Sequence, residues 1–506
     1  MSSKIYSAAV LGLDAELVEV EADMGGGDFG MVAIVGLPDT SVSESKERVR
    51  SAIKNSELEF PRVKTTVNLA PADIKKQGPG YDLPIAISIM LATKKIKESP
   101  ELEESLFVGE LALSGELRPV NGILPIVLLA REKGFKKIFI PKENVFEASL
   151  VPGVSVFGVE KLTDLVNHFN GSKKIIASEK KEFISTEEDS VFDMAHVRGQ
   201  SFAKRAMEIA AAGSHNILMS GPPGSGKTLL ARTMPTILPE MTNEEALEVT
   251  KIYSVSGNLN FKNGLAKSRP FRSPHHTSSG VSLVGGGVWP KPGEISLAHR
   301  GVLFLDEFGE FSRSVLENLR QPLEDGIVNV SRASGSVSFP SKFVLVAATN
   351  PCPCGYAGDP EKECICSASQ VLNYKKKISG PILDRIDLHI EVPRISFEKL
   401  SSEKNEESSK EIRKRVQRAR DKQTERFKNT KYISNSEMSS NAIKEFCLVD
   451  DESKKLLKKA AESLHLSARA YFRVLKIART IADLDSSDNI LKEHIVEALQ
   501  YRSKNV

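Results

Sequence analysis

The sequence is poor in several features that would assign it quickly. Its 506 residues include only 5 cysteines and 1 tryptophan, and acids and bases nearly cancel at a net charge of +3. So few cysteines exclude a disulfide-stapled secreted scaffold, and 34 glycines with 25 prolines exclude a collagen-like chain. No run approaches the ~20 apolar residues that cross a bilayer. The opening MSSKIYSAAVLGLDAELVEVE has no sustained apolar core and does not read as a signal peptide. A cytoplasmic protein with no membrane partner is therefore expected. With charge so balanced, any nucleic-acid surface must be local. What remains is a chain with 40% apolar residues, enough for about three globular domains.

Three regions and a joint are expected. Residues 1–169 alternate short β-like runs (Val18–Ala22, Met31–Val35, Val63–Leu69, Lys137–Ile140) with helical patterns such as Ser43–Asn55 and Pro84–Thr93, which predicts an α/β domain. Residues 170–190 are polar and read as a linker. Residues 191–393 alternate helical runs with the apolar strands Asn216–Ser220, Gly301–Leu305 and Phe343–Ala347, the pattern of a parallel sheet flanked by helices. Residues 394–506 read as all-α. Within them IRKRVQRARDKQTERFK places Ile412, Val416 and Ala419 on one stripe of a charge-rich helix. That helix is either simply solvated or a DNA-tracking or intersubunit surface.

Residues 221–228 spell GPPGSGKT, a phosphate-binding loop set between the strand NILMS and the helical run LLARTMPTI. Gly221, Pro222, Pro223, Gly224, Ser225 and Gly226 form the curl whose backbone N–H groups meet phosphate. Lys227 reaches the β- and γ-phosphates of ATP, and Thr228 ligates Mg²⁺. Such a loop needs carboxylates on a second strand end. GVLFLDE supplies Asp306 for the Mg²⁺ shell and Glu307 to polarise the attacking water. The strand Phe343–Ala348 ends in Thr349-Asn350, and an Asn there orients that water. Arg385, after a Gly-Pro turn in SGPILDRID, suits transition-state charge met from a neighbouring subunit. Arg469 in SARAYFRVLKIARTIADL suits phosphate contact from the same subunit's helical region, although Arg473 and Arg479 share its segment.

Four of the five cysteines, Cys352, Cys354, Cys364 and Cys366, fall in two C-x-C pairs, which favour zinc over unligated thiols. Their place directly after Asn350 implies that a metal there stiffens the strand end that senses nucleotide. His275 and His276 read as polar contacts near nucleotide or DNA, since adjacent side chains do not share a helix face. IVNVSRASGSVSF alternates around a polar turn and predicts a β-hairpin with Arg332 at its tip. The Gly-rich stretch SSGVSLVGGGVWPKPG reads as a loop free to project into a ring's channel.

In this order, phosphate loop, Asp-Glu pair, Asn, Arg and helical region resemble an AAA+ ATPase. FRSPHHTSSGVSLVGGG, PGEISLAHRGVLFLDE, LRQPLEDG, NPCPCGY and SGPILDRIDLHIEVP resemble its magnesium-chelatase-like branch, and within it the YifB/ComM family. The resemblance implies a homo-hexameric ring with ATP between subunits. It also implies helicase-like branch migration on single-stranded and branched DNA, beside recombination proteins in natural transformation. Related ring helicases set a basic hairpin tip against the DNA backbone, which extends to Arg332 here. A chelatase-type motor or a protein-remodelling ATPase are the alternatives. Residues 1–169 resemble the Lon-protease fold without its catalytic pair. Gly80 follows Gly78-Pro79 where the family has its Ser, and Leu124 stands where it has Lys, so no covalent proteolysis is expected. Tyr81, Lys75 and Lys76 are expected at the surface.

Overall fold

The computed structural model describes residues 2–25, 30–179, 191–259, 268–287, 290–332, 335–395, 406–463 and 466–502, with backbone alone at Ser2, Arg332 and Gly335. Most of the residue 170–190 joint lies outside the described residues. The chain forms two compact units, Met1–Ser185 with Ala246–Ala266, and Thr186–Glu245 with Lys267–Val506.

In the first unit the alternating runs pair into a seven-stranded mixed sheet. Its spatial order is Val32–Val35, Lys64–Ala70, Asp14–Gly25, Ser2–Leu11, Ser105–Phe107, Lys137–Pro141 and Ser155–Val159. The period of two sorts side chains onto opposite faces. Ile5, Ala9, Phe107 and Phe139 face one core, with helices Thr40–Asn55 and Asp82–Ala92. Ala8, Leu106, Ile138 and Ile140 face the other, with helix Ile123–Glu132. Helix Asp82–Ala92 is buried at every position, which explains why DLPIAISIMLA has no polar face. Leu247, from the inserted segment Ala246–Ala266, packs against the second core.

Two residues expected at the surface of this unit are buried instead, and the backbone gives the reason. Lys76 exchanges backbone hydrogen bonds with Leu37 and Asp39, which draws its side chain inward, and its ammonium donates to the Pro71 carbonyl. Burial pushes the Lys76 pKa down. Tyr81 lies in the one-turn helix Pro79–Tyr81 that feeds the buried helix, and is 3% exposed. Lys75 is exposed as expected. Leu124 is fully buried, so the would-be lysine position belongs to the core.

The second unit carries a five-stranded sheet in the order Phe271–Arg272, Val302–Leu305, Val344–Thr349, Ile217–Ser220 and Leu388–Glu391, parallel throughout. Helices Ser201–Gly213 and Lys227–Ile237 cover it. The C-terminal region is helical as expected, and its helices Ser409–Arg426, Ala468–Leu484 and Lys492–Gln500 join the same core. Val416, Ile481 and Ile495 belong to one buried cluster with Ile217, Met219 and Val346. Ile412, Val416 and Ala419 are the buried stripe of their helix. The chain is thus a mixed α/β protein with a parallel-sheet unit and a helical C-terminal region.

One buried charge in the first unit anchors its fold. Asp82 is fully buried and accepts from Arg48 Nε at 2.7 Å, Arg48 Nη2 at 3.0 Å and Leu111 N at 3.1 Å. Arg48→Ala strands that carboxylate, and it should cost about 3 kcal/mol. Urea unfolding of the variant against the parent measures it.

Candidate functional site

The phosphate-binding motif sits where a parallel sheet binds ligands, at the carboxyl ends of its strands. Strand Ile217–Ser220 ends in the loop, and helix Lys227–Ile237 starts directly after it. Gly224 and Gly226 take φ of 77° and 91°, a region that suits glycine. Gly221 is needed for space instead: a Cβ there would lie 2.2 Å from the Val392 carbonyl oxygen. Its N–H donates to Thr349 O at 3.2 Å, so the loop is wedged between the strands on either side.

Lys227 is largely buried, and its ammonium donates to Gly221 O at 2.7 Å, Pro222 O at 2.9 Å and Asn350 Oδ1 at 3.4 Å. All three are neutral acceptors. Burial lowers the Lys227 pKa, with the charge of Asp306 opposing. Thr228 Oγ1 donates to Asp306 Oδ2 at 2.9 Å, and Glu307 N donates to Asp306 Oδ1 at 2.9 Å. Five groups expected to act together therefore meet at one edge: Lys227, Thr228, Asp306, Glu307 and Asn350. The arrangement suits a polyphosphate with a divalent cation, since it offers a buried cation, curled backbone donors and an adjacent hydroxyl–carboxylate pair.

Glu307 takes φ of 52°, an uncommon left-handed conformation that turns its carboxylate toward His276, whose Nδ1 lies 3.1 Å from Glu307 Oε2. His275 lies against His276 with ring centroids 4.1 Å apart and the planes tilted by 34°. Both histidines make polar contacts there, His276 with the Glu307 carboxylate and His275 Nδ1 with Thr277 Oγ1 at 2.9 Å. The specific partner was not legible in the sequence. Directly after them come helix Gly280–Val284 and the ribbon Gly285–Gly286 with Lys291–Pro292. Trp289, in the expected channel loop, lies outside the described residues.

Arg385 and Arg469 are not at this edge. Both guanidiniums meet the Glu324 carboxylate, Arg469 Nη2 at 3.0 Å. Around them is a cleft of about 620 Å³ lined also by Asn216, Gly301, Val344 and Arg473. Asn216, Gly301 and Val344 mark the amino ends of the strands, so the cleft lies across the sheet from the phosphate loop. The four residues of Ile217–Ser220 alone span about 13 Å. The same-subunit contact expected for Arg469 is therefore corrected: its helix packs on the amino end of the sheet, out of reach of its own phosphate loop. Arg479 is buried and donates to the Asp488 and Ser487 carbonyls at 2.7 and 2.6 Å, which makes it part of the helical scaffold. Arg473 donates to Ile386 O at 2.8 Å. Glu324, which gathers two arginines, carries no sequence signal beyond its place in LRQPLEDG.

The expected hairpin forms from Ile327–Arg332 and Gly335–Pro340 in antiparallel register, with Arg332 opposite Gly335 at its tip. Val328, Val330 and Phe339 are buried, while Asn329, Ser331, Ser336 and Ser338 are exposed.

The four clustered cysteines converge. Their sulfur atoms all lie within 4.8 Å of one another, with Cys352 Sγ 3.3 Å from Cys354 Sγ and both 3.6 Å from Cys364 Sγ. A tetrahedral zinc at a Zn–S distance of about 2.3 Å requires S···S edges of about 3.8 Å. The set fits that ion. The Tyr356 backbone N–H leads in holding the Cys354 thiol down, to about 6.

Gly221→Ala should destabilise the second unit by about 2 kcal/mol or more, because the added carbon meets a backbone carbonyl that cannot give way. Differential scanning calorimetry of the variant checks this, and nucleotide should no longer raise its melting temperature.

Three family models match the chain: "Subunit ChlI of Mg-chelatase" over residues 18–144, "Magnesium chelatase, subunit ChlI" over 193–400, and "Magnesium chelatase, subunit ChlI C-terminal" over 406–502. The competence protein ComM of Haemophilus influenzae is 45% identical over 505 residues, 99% of this chain and 97% of that protein. YifB of Escherichia coli is 42% identical over 503 residues, again 99% and 97%. The DNA repair protein RadA of Listeria monocytogenes is similar over a shorter span, 37% identical over 93 residues, 18% of this chain and 20% of its own. Matched from end to end at this identity, with the phosphate loop and acidic strand end in place, the chain belongs to the YifB/ComM family of magnesium-chelatase-like AAA+ proteins.

Proposed function

We propose that the protein is an ATP-hydrolysing motor that works as a homo-hexameric ring on single-stranded and branched DNA, migrating branches during recombination of incoming DNA. The observation that carries the hydrolytic half is the convergence of Lys227, Thr228, Asp306, Glu307 and Asn350 on one sheet edge. Lys227 and the curl from Gly221 to Gly226 would hold the β- and γ-phosphates. Thr228 and Asp306 would hold Mg²⁺, which neutralises phosphate charge. Glu307 would take the proton of the attacking water and Asn350 would orient that water.

The sheet's polarity supports a ring. Arg385 and Arg469 lie at its amino end, so the γ-phosphate they would meet is another copy's. A neighbour's phosphates would then compete with Glu324 for both guanidiniums. The DNA half is supported by the competence protein among its full-length relatives, and by a hairpin that would carry Arg332 toward a ring's axis. Six such arginines would form a basic collar. Zinc on Cys352, Cys354, Cys364 and Cys366 and a cytoplasmic setting with recombination proteins complete the reading. The residue 1–169 domain is read as a Lon-like interaction module and residues 394–506 as the helical partner of the 191–393 ATPase core. A chelatase-type motor is the second reading, because all three matching family models carry that name.

The test is ATPase rate with and without a synthetic four-way junction, scoring arm displacement in the same tube. Stimulation and displacement that both vanish in Lys227→Ala are the expected result. Hydrolysis indifferent to DNA, but stimulated by a porphyrin and partner subunits, would move the chelatase reading ahead. Glu307→Gln should still bind nucleotide and lose about a hundredfold or more in kcat. Mixing inactive Lys227→Ala with inactive Arg385→Ala should restore about a quarter of the parental rate, the share of random interfaces that pair an intact lysine with an intact arginine. No recovery on mixing would sink the in-trans assignment.

A further inference from the structure

The cysteine loop does more than follow the nucleotide site in sequence: it is packed on the phosphate loop from outside and tied down at both ends. At its start, Asn350 receives the Lys227 ammonium at 3.4 Å, and buried Cys352 follows two residues later. At its turn, Gly355 takes φ of 85°, donates to Cys352 O at 2.9 Å and closely approaches the Pro223 ring. A Cβ on Gly355 would stand 2.6 Å from Pro223 Cδ and 2.7 Å from Cγ, so the backbone itself is the contact surface. Farther along, Asp359 and Glu361 reach Arg394 at 3.0 and 3.5 Å, and the Arg394 guanidinium lies over the Tyr356 ring, 5.5 Å from its centroid. Arg394 is two residues beyond Val392, whose carbonyl limits Gly221 and whose N–H donates to Ser220 O at 2.8 Å.

The phosphate loop rises between the ends of strands Val344–Thr349 and Leu388–Glu391, and the cysteine loop bridges those ends across it. Between those anchors the loop has no regular backbone pairing. Asp359 caps the backbone N–H groups of Glu361 and Lys362, Ile365 is exposed, and no helix or strand forms between Thr349 and Ala368. Lys362 lies over the Tyr356 ring at 5.0 Å and Arg394 gathers Tyr356, Asp359 and Glu361, while four thiols within 4.8 Å of one another can lock Cys352 and Cys354 to Cys364 and Cys366.

We propose that a tetrahedral divalent cation of the zinc class, held by Cys352, Cys354, Cys364 and Cys366, clamps the phosphate loop through the Gly355–Pro223 contact and so sets nucleotide affinity. Pro223 lies within the curl that must keep its N–H groups convergent; Lys227 holds that curl from inside through the Gly221 and Pro222 carbonyls, and Gly355 backs it from outside. The thiolates take no part in hydrolysis. They are positioning residues that act through Gly355 and Asn350. The proposal rests on reading residues 221–228 as a nucleotide site, and it is independent of whether DNA is the substrate.

The experiment uses the full-length protein. Bound zinc is measured by elemental analysis, and the affinity for a fluorescent ADP analogue with Mg²⁺ by titration. The parent, the double variant Cys364→Ser/Cys366→Ser and Gly355→Ala are compared, with helix content by circular dichroism. The expected result is one zinc per chain in the parent and none in the double variant. Nucleotide affinity should fall about tenfold in the double variant with helix content unchanged. Gly355→Ala keeps all four thiolates, so it should retain zinc and still lose affinity. That combination separates a mechanical clamp from a metal that merely holds the fold, and it decides the matter if the double variant does not fold. A parent that holds no zinc after growth and purification with added zinc overturns the proposal, and so does parental affinity in zinc-free protein or in Gly355→Ala. If Lys227→Ala binds nucleotide as the parent does, the nucleotide reading fails. If only DNA stimulation is missing, the motor reading fails and the clamp stands.

Discussion

The organisation of the second unit depends on one buried ammonium. Lys227 is held by two backbone carbonyls and the Asn350 amide oxygen, with no carboxylate in contact. Desolvation disfavours its charge, and neutral acceptors offset only part of that cost. A cation kept in this state binds an anion strongly, because the desolvation has already occurred before the ligand arrives. Every neighbouring feature serves to hold the position. Gly221 permits the close approach to Val392, the strand ending in Thr349 brings in Asn350, and Thr228 keeps Asp306 near without letting it neutralise the lysine.

The parallel sheet then divides the chemistry in space. All five strands point the same way, so the phosphate loop, the acidic pair and the asparagine must emerge together, and the residues before each strand must collect at the other end. Arg385 precedes strand Leu388–Glu391, and the Ala468–Leu484 helix packs against the same end, so Arg385 and Arg469 converge on Glu324 by topology. In the proposed ring, a phosphate-loop edge and an arginine edge on opposite ends of one sheet would be complementary halves for head-to-tail contact between copies.

What the sequence disclosed and what it hid follow from the range of the interactions. The phosphate loop, the strand ending in Asp306-Glu307 and the hairpin around Arg332 are contiguous, and their chemistry is local, so their residues could be named from spacing. The stripe of Ile412, Val416 and Ala419 was legible for the same reason. Lys76 is buried because backbone pairing with Leu37 and Asp39, far away in sequence, draws it inside, and Tyr81 because its short helix feeds the fully buried helix Asp82–Ala92. The insertion of Ala246–Ala266 into the first unit leaves no compositional break to read. Arg469, Arg473 and Arg479 share one helix, and only packing separates them. At about 100° per residue Arg479 is turned about 80° from Arg469 and about 120° from Arg473, and it falls on the buried side with Ala478 and Ile481.

The Glu324 cluster illustrates why a stable ion pair would be the wrong device at the arginine edge. Glu324 is roughly half exposed and Arg469 more so, and their link is worth about 0–1 kcal/mol in water. Arg385 leads, with Arg469 behind it, in holding the Glu324 carboxyl below the usual range, so near neutral pH it is an anion that offers a single charge. A polyphosphate offers more charge and more acceptor oxygens to the same guanidiniums. In the proposed ring, a neighbour's phosphate would compete with Glu324 for both guanidiniums, and losing so exposed an ion pair would cost the fold little. Arg269 shows the contrast within the same cleft: it is buried, paired with Glu245 at 2.8 Å and bonded to the Pro239 and Arg300 carbonyls at 2.6 and 2.7 Å. Removing it would strand a buried carboxylate, at a cost of about 3–5 kcal/mol. One lining of basic residues thus contains both a buried ion pair, Arg269 with Glu245, and an exposed one around Glu324, and burial of the partner carboxylate sets the difference.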